Sequence, residues 1–261
     1  MNIAVVTVAY NSGEGIARLV ETAVEGKHEV RLHLFLHSQH VETVAAFGRL
    51  AELACVVPYA YGSNRGLAKS WNEGMLNAYG SGADLVVIVN DDIYFSPGDI
   101  GKIARRAMEH RGRYIISCAG FHRRLNRQLP SHGYSCFAIN PIALERIGCF
   151  DENFFPCYCE DQDYAYRAGL AGLQEENCCD TMISHGGSDT IYSSAELSAQ
   201  NRVTQGRNMQ YYLRKWGGLG GQERFRQPFG DTRLSYRIAA ECRQAPYGPF
   251  HDRTDQDVVR M

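Results

Sequence analysis

The feature that most constrains this chain is the alternation of strand-like and helix-like segments over its first ninety or so residues. Residues 2–9 (NIAVVTVA) form an apolar, β-branched run. Ser12 is placed to cap a helix in which Ile16, Leu19, Val20 and Ala23 recur at helical spacing, with Gly26 as its stop. Val30, Leu32, Leu34 and Leu36 alternate as a second strand. Val41, Val44, Ala45 and Leu53 suit a second helix, and residues 55–59 a third strand. Leu67, Trp71, Met75 and Ala78 mark a third helix, and residues 85–89 are a continuous apolar run of the kind buried on both faces of a sheet. Such alternation predicts an α/β fold, a largely parallel central sheet with helices on both faces.

Beyond residue 95 the pattern loosens. Ser96-Pro97-Gly98-Asp99 reads as a helix start, with Ser96 as cap, Pro97 at the first helical position and Asp99 reaching back. Residues 114–118 and 135–139 are strand-like, and Asn140-Pro141 opens a short helix. Further helices are predicted over 160–171, closed by Gly172, and over 195–216, ending at Gly217-Gly218. No linker divides the 261 residues, which suit one domain. A net charge of -2 argues against a broad electrostatic grip on nucleic acid. No apolar run is long enough to span a bilayer. The first ten residues have neither a basic region nor a cleavage site of the secretory kind, so a cytoplasmic protein is expected. Nine cysteines without an export signal are expected as reduced thiols. The spacings of Cys157, Cys159, Cys178 and Cys179 do not match a structural zinc pattern.

Three polar groups fall after predicted strands: Tyr10-Asn11, Asn64-Arg65-Gly66 and Asn90-Asp91-Asp92. Each alone is as well explained by a turn or a helix cap. Together they occupy the edge where open α/β sheets bind ligands, outside the carboxyl ends of the strands. Asp91 and Asp92 offer hard oxygen ligands to Mg2+ or Mn2+, ions that take one or two carboxylates and complete their shells with phosphate oxygens and water. Neither a Gly-x-Gly-x-x-Gly fingerprint nor a Walker loop is present. Any phosphate held here would therefore be held through a metal.

The ordered series VTVAYNS (6–12), NRGLAKSWNEGM (64–75), LVVIVNDDIYFSP (85–97), CFAINPIALERIGCFDENFF (136–155), EDQDYAYRAGLAG (160–172), SHGGS (184–188) and RNMQYYLRKWGG (207–218) resembles family-2 glycosyltransferases of the GT-A fold, rhamnosyltransferase-type members above all. The resemblance implies a domain over 1–218, with a donor half at about 1–95, an acceptor and catalytic half at about 96–218, and an extension (219–261) packed on the same domain. It also implies residue roles. Ala9, Tyr10 and Asn11 would touch base and ribose, and Asn64, Gly66, Lys69 and Asn72 would lie beside base and diphosphate. Asn90-Asp91-Asp92 takes the Asp-x-Asp place with Asn first, and Asp92 would be the direct metal ligand. His185 matches a late histidine that approaches metal or diphosphate, although taken alone it reads as a loop histidine. Glu160 and Asp161 match the catalytic-base motif, with Asp161 as the base.

The implied reaction is metal-dependent, inverting transfer of a sugar from a UDP-, dTDP- or GDP-linked donor to an acceptor hydroxyl. Sugar, base and acceptor stay open. Many family members pair an Asp after strand two with the base; here that place holds Leu36-His37-Ser38-Gln39, so base recognition must differ or must rest on main-chain groups. Arg123, Arg124 and Arg127 are a candidate hold for an anionic acceptor. Trp216, Tyr211 and Tyr212 read as core rather than sugar platform. Two rival classes remain. A sugar nucleotidyltransferase would need a glycine-rich, basic phosphate loop where Tyr10-Asn11-Ser12-Gly13-Glu14 stands, and a non-catalytic nucleotide-sugar binder would have lost the Asp pair or the base.

Overall fold

The apolar opening run becomes a central strand. A computed structural model describes residues 1–24, 29–110, 113–187 and 195–242. In it β1 (Asn2–Ala9), α1 (Gly13–Ala23), β2 (Glu29–Leu36), α2 (Val41–Leu50), β3 (Val56–Ala60), α3 (Leu67–Gly80) and β4 (Leu85–Asn90) follow one another. β2 and β4 flank β1, β3 lies beyond β2, and all three pairings are parallel. The second half adds β5 (Ile93–Tyr94), α4 (Asp99–Glu109), β6 (Arg113–His122), β7 (Arg127–Leu129), β8 (Cys136–Ile139), α5 (Pro141–Arg146), α6 (Glu160–Leu170), β9 (Gln174–His185) and α7 (Ala195–Trp216). The sheet runs β3-β2-β1-β4-β8-β6-β9-β5, with β7 on β6. Its sense reverses at β8, antiparallel to both β4 and β6, and β9 returns parallel to β6. The sheet is thus mainly parallel, with short antiparallel strands in its second half.

Both faces are covered. One apolar layer packs α1, α2 and α4 against the sheet through Ile16, Leu19, Phe47, Ile100 and Ile103. The other packs α3, α5, α6 and α7 through Trp71, Met75, Tyr164, Tyr211 and Trp216. Strand β4 is buried on both faces from Leu85 to Val89, as its unbroken apolar run requires. Tyr211, Tyr212 and Trp216 belong to this core.

Several local expectations need correction. Helix α2 forms, but its buried face is Thr43, Ala46 and Phe47. Val41 is 81% exposed, and Val44 and Leu53 are exposed too. The positions 43, 46, 47 and 50 keep helical spacing and put the one large ring, Phe47, inward. Helix α4 starts at Asp99, with Gly98 rather than Ser96 at the cap position and in the left-handed region. Asp99 does reach back to the Ser96 N–H (3.0 Å), but the Ser96 hydroxyl donates to the Met182 carbonyl. Ser12 sits at the α1 cap position and makes no capping bond there. Asn140 caps α5 as expected, accepting from the Ile142 N–H with Pro141 following. Strands β5 and β7, and all of β9, carry no strand signal in the sequence. Gly26, Ser188 and residues 243–261 lie outside the described residues.

The described part of the extension, 219–242, lies against the same body. The N–H groups of Arg224 and Phe225 both donate to the Trp216 carbonyl, and Ile238 exchanges main-chain bonds with Ile147 and Cys149. Ile238 is fully buried and crowds Gly148, where φ is +80° and any side chain would strike the Ile238 main chain. Cys55, Cys118, Cys136, Cys149, Cys157, Cys159, Cys178 and Cys179 are free. Among the described residues, no helix is long and apolar enough to cross a membrane.

Candidate active site

The carboxyl ends of β1 and β4 are locked to each other. The Tyr10 N–H donates to Asp91 Oδ2 at 3.2 Å. Burial, and then the charge of Asp92, push the Asp91 carboxyl up to about 7, against the pull of the Tyr10 N–H and the Ser12 hydroxyl. Asn11 takes a positive φ of 53°, and its side chain accepts from the Ser38 hydroxyl at 2.5 Å. Ser38 in turn accepts from the His40 N–H. The Ala9 carbonyl accepts from the His37 N–H. The segment after β2 thus spends its polar groups on holding Ala9 and Asn11 in place.

Asn64 and Gly66 form the adjoining wall. The Asn64 carboxamide accepts from the Gly66 N–H at 2.9 Å. Gly66 has φ +88°, and a Cβ there would stand 2.9 Å from the Phe155 ring. The Leu67 N–H donates to the Pro156 carbonyl at 2.7 Å, so this wall is bonded to the loop that leads into α6. His37 is buried beside Asn64 and meets the Ser70 hydroxyl at 2.8 Å. Burial drives its pKa down to about 4. Lys69 is half-buried on α3. Asn72 is fully buried and committed to the Phe150 main chain and to Glu152, so it braces the 150s loop from below.

Asp92 is 5% exposed. Its Oδ2 accepts from the Gly187 N–H at 3.0 Å, and its main-chain carbonyl accepts from the Gly186 N–H. His185 Nε2 lies 3.4 Å from Asp92 Oδ1, a contact too long to be a good hydrogen bond. Pairing of β5 with the end of β9 delivers this contact. Behind His185 stand His132, with the two Nδ1 atoms 3.2 Å apart, and His122, whose ring lies 5.0 Å from that of His185. Burial lowers the pKa of both His132 and His122, disfavouring their charged forms. Gly187 passes so close to His122 and Arg124 that a side chain there would overlap the His122 ring.

Oxygen and nitrogen 3.4 Å apart, both buried and facing each other, fit two ligands of one small cation. Among the described residues, no set of three or more His, Cys, Asp or Glu side chains is arranged to hold a metal.

Glu160 and Asp161 open α6. Tyr158 and Cys159, just before them, both take positive φ (81° and 69°), a strained conformation for side-chain-bearing residues. The strain is held by α7: Asn208 donates to the carbonyls of Cys157 and Tyr158, and Asn201 donates to the Tyr158 hydroxyl. Burial raises the Asp161 carboxyl above the ordinary range, against main-chain N–H bonds from Gln162 and itself. Glu160 is 4% exposed, and burial followed by the Asp161 charge holds it well above the carboxylate range.

Under this helix runs a buried charge network that the sequence reading missed. Arg167 donates to Asp163 at 2.7 Å and to the carbonyls of Ile147 and Cys149. Lys215 bridges Asp151 (2.7 Å) and Asp163 (2.6 Å). Tyr211 donates to Asp151 and Trp216 to Asp163. Burial alone would raise Asp163, but Lys215 and Arg167 hold it below its ordinary value. The available signal was Asp163 and Arg167 at i,i+4 on the helix face that also carries Tyr164 and Ala168.

The expected residues therefore fall into connected groups: Ala9, Tyr10, Asn11 and Asp91 at the β1–β4 seam; Asn64 and Gly66 against the Phe155-Pro156 loop; Asp92 with His185; and Glu160 with Asp161 beyond that loop. Asn90 closes β4 opposite Val8 of β1. Asn72 and Lys69 lie on α3 below the wall. Arg123, Arg124 and Arg127 sit on the exposed β6–β7 hairpin, with Arg123 and Arg18 both over the Tyr94 ring.

A model for "Glycosyl transferase family 2" matches residues 4–147. A "Galactofuranosyl glycosyltransferase" of Leishmania donovani is 35% identical over 109 residues, 40% of this chain and 22% of that protein. The match thus spans under a quarter of the curated relative's length. Among solved structures, TarS 1-349 of S. aureus in complex with UDP-GlcNAc superposes with a TM-score of 0.58 at 15% identity, over 80% of this chain and 70% of that one. The mannosyltransferase PcManGT of Pyrobaculum calidifontis, in complex with GDP-Man and Mn2+, gives 0.59 at 15%, over 81% and 64%. At such identities the structural likeness speaks for the fold alone, and that fold is GT-A.

Proposed function

The chain belongs to glycosyltransferase family 2, whose model covers over half its length, and from that premise we propose that it moves a sugar, with inversion, from a nucleoside-diphosphate sugar to an acceptor hydroxyl with the help of Mg2+ or Mn2+. The observation that carries this reading is the contact of Asp92 with His185 at the carboxyl end of β4, beside the seam that holds Tyr10 and Asn11. Asp92 and His185 would hold the cation, which when bound supplies positive charge opposite the leaving diphosphate.

The chain's own groups do the rest. Ala9, Tyr10 and Asn11 form the nucleoside floor, oriented by Ser38 and Asp91. Asn64 and Gly66 form its wall, and Lys69 follows on α3. Asn72 acts by fixing the 150s loop rather than by touching the donor. Asp161 takes the proton of the acceptor hydroxyl as that oxygen attacks the anomeric carbon, which passes through an oxocarbenium-like state. A raised pKa makes its carboxylate the stronger base. Glu160, buried beside it with its pKa raised, is disfavoured as a charged base and leaves the proton transfer to Asp161. The donor is UDP-, dTDP- or GDP-linked.

The test is a thermal-shift screen of nucleotide-sugars with and without Mn2+, followed by product analysis. A bound donor raises the melting temperature by mass action. Release of nucleoside diphosphate with an inverted product by NMR is the expected result. Pyrophosphate turnover would replace this reading with a sugar nucleotidyltransferase, and binding without turnover would replace it with a non-catalytic binder.

A further inference from the structure

We propose that His132 is a positioning residue that sets the tautomer of His185, and so decides whether His185 can stand beside Asp92 as a cation ligand. The inference rests on the cation reading above. A neutral imidazole carries one N–H and one lone pair. The Nδ1 atoms of His132 and His185 lie 3.2 Å apart, with both rings buried. One of them donates and the other accepts. His185 Nε2 has no hydrogen-bond partner and faces Asp92 Oδ1 at 3.4 Å.

Two proton arrangements fit this geometry. In the first, His185 carries its proton on Nε2, toward the Asp92 carboxylate, and its Nδ1 accepts from His132. In the second, the His185 proton is on Nδ1 and is donated to His132, whose own proton moves to Nε2. Only the second leaves the His185 Nε2 lone pair free to share a cation with Asp92. His132 Nδ1 is therefore the acceptor that the liganding form of His185 requires, the role outer-sphere partners of metal-bound histidines commonly fill. The rings have little freedom to escape it. His132 stacks on His122 at 5.8 Å with 24° between planes, and Gly187 passes close to the His122 ring.

Two substitutions of similar size separate this role from simple packing. In His132→Asn the amide can present its oxygen where Nδ1 stands. In His132→Gln the amide falls where Nε2 stands and leaves His185 Nδ1 without that acceptor. Mn2+ alone is titrated against each full-length variant, with free Mn2+ read by electron paramagnetic resonance. His132→Gln should weaken Mn2+ binding about ten- to a hundredfold, and His132→Asn should stay close to the wild type. In the wild type with saturating Mg2+, 15N NMR should show His185 protonated on Nδ1. Asn and Gln variants with equal affinity, whether both tight or both weak, would overturn the role of His132. Asp92→Ala is the control for the underlying reading. If it binds Mn2+ like the wild type, the cation site itself falls and the inference with it. If it loses Mn2+ while His132→Gln does not, the site stands and the inference alone falls.

Discussion

The Tyr10 N–H and the Asp91 carboxylate meet at 3.2 Å across the β1–β4 seam. Of the two neighbouring acids, Asp91 is thereby spent on holding the Tyr10 main chain, the proposed nucleoside floor, while Asp92 faces His185. The two should respond differently to amide substitution. Asp91→Asn keeps an acceptor for Tyr10 and should change activity by less than about tenfold, the range of one neutral hydrogen bond. Asp92→Asn should weaken Mn2+-dependent binding of nucleoside diphosphate by at least about tenfold. Calorimetry with and without Mn2+ on both variants checks the contrast.

Asp161→Asn keeps the shape of the first turn of α6 and removes the proposed base. Turnover should fall at least about a hundredfold, with donor affinity and melting temperature near those of the wild type. If Asp161 only favoured the helix start, the cost would be well under ~1 kcal/mol of stability and turnover would survive. Because burial raises the Asp161 pKa, the wild-type rate should drop as pH falls through that raised value, since only the ionised form accepts a proton. The acid limb should be missing from whatever activity Asp161→Asn retains.

Lys215→Met should destabilise the protein far more than a surface substitution. It leaves Asp151 and Asp163 buried with the loss of their shared cation. Breaking a buried ion pair on one side typically costs about 3–5 kcal/mol. Urea unfolding at neutral pH measures it. A cost under about 1 kcal/mol would mean that the network is not a support of α6.

Stability should also carry a histidine signature. Burial lowers His33 and His37 from 6.5 to about 4 in the folded chain. Between those values the unfolded chain takes up protons that the folded chain refuses, so this contribution is lost as pH falls from about 6.5 toward 4. Asp91 works in the opposite sense, because its raised value lets the folded chain bind a proton first. A difference measurement isolates the histidine. His37→Gln, which can still reach Ser70, should lose about 1–2 kcal/mol less than the wild type between pH 7 and pH 5 in urea unfolding.

What could be read in advance followed hydrophobic periodicity. The first four strands and three helices are strongly patterned, and their carboxyl ends named Asn11, Asn64 and Asp92 directly. The failures have physical causes. β9 begins Gln174-Glu175-Glu176-Asn177, polar residues held in a strand only by the neighbouring β6. Such a strand carries almost no propensity of its own. On α2, two apolar stripes competed, and only the packing of Phe47 chose between them. His122 and His132 come from the end of β6 and the turn before β8, and they meet His185 of β9 through strand pairing alone. No spacing in the sequence could announce that cluster. The Asp163–Lys215 contact likewise joins two helices far apart in the chain.

The Gly187–Asp92 hydrogen bond joins groups 95 positions apart in sequence. The β1–β4 region, by contrast, is built from neighbouring strand–helix units and can form early, since local contacts close small loops. Strand β9 can dock on β6 only after the chain has reversed at β8 and passed through α5 and α6. The proposed nucleoside floor should therefore form before the proposed cation ligands come together. A chain arrested with β9 undocked would carry a formed floor and an isolated Asp92. Cation-dependent donor binding would then report completion of the last long-range step, which makes it a more sensitive gauge of correct folding than secondary-structure content.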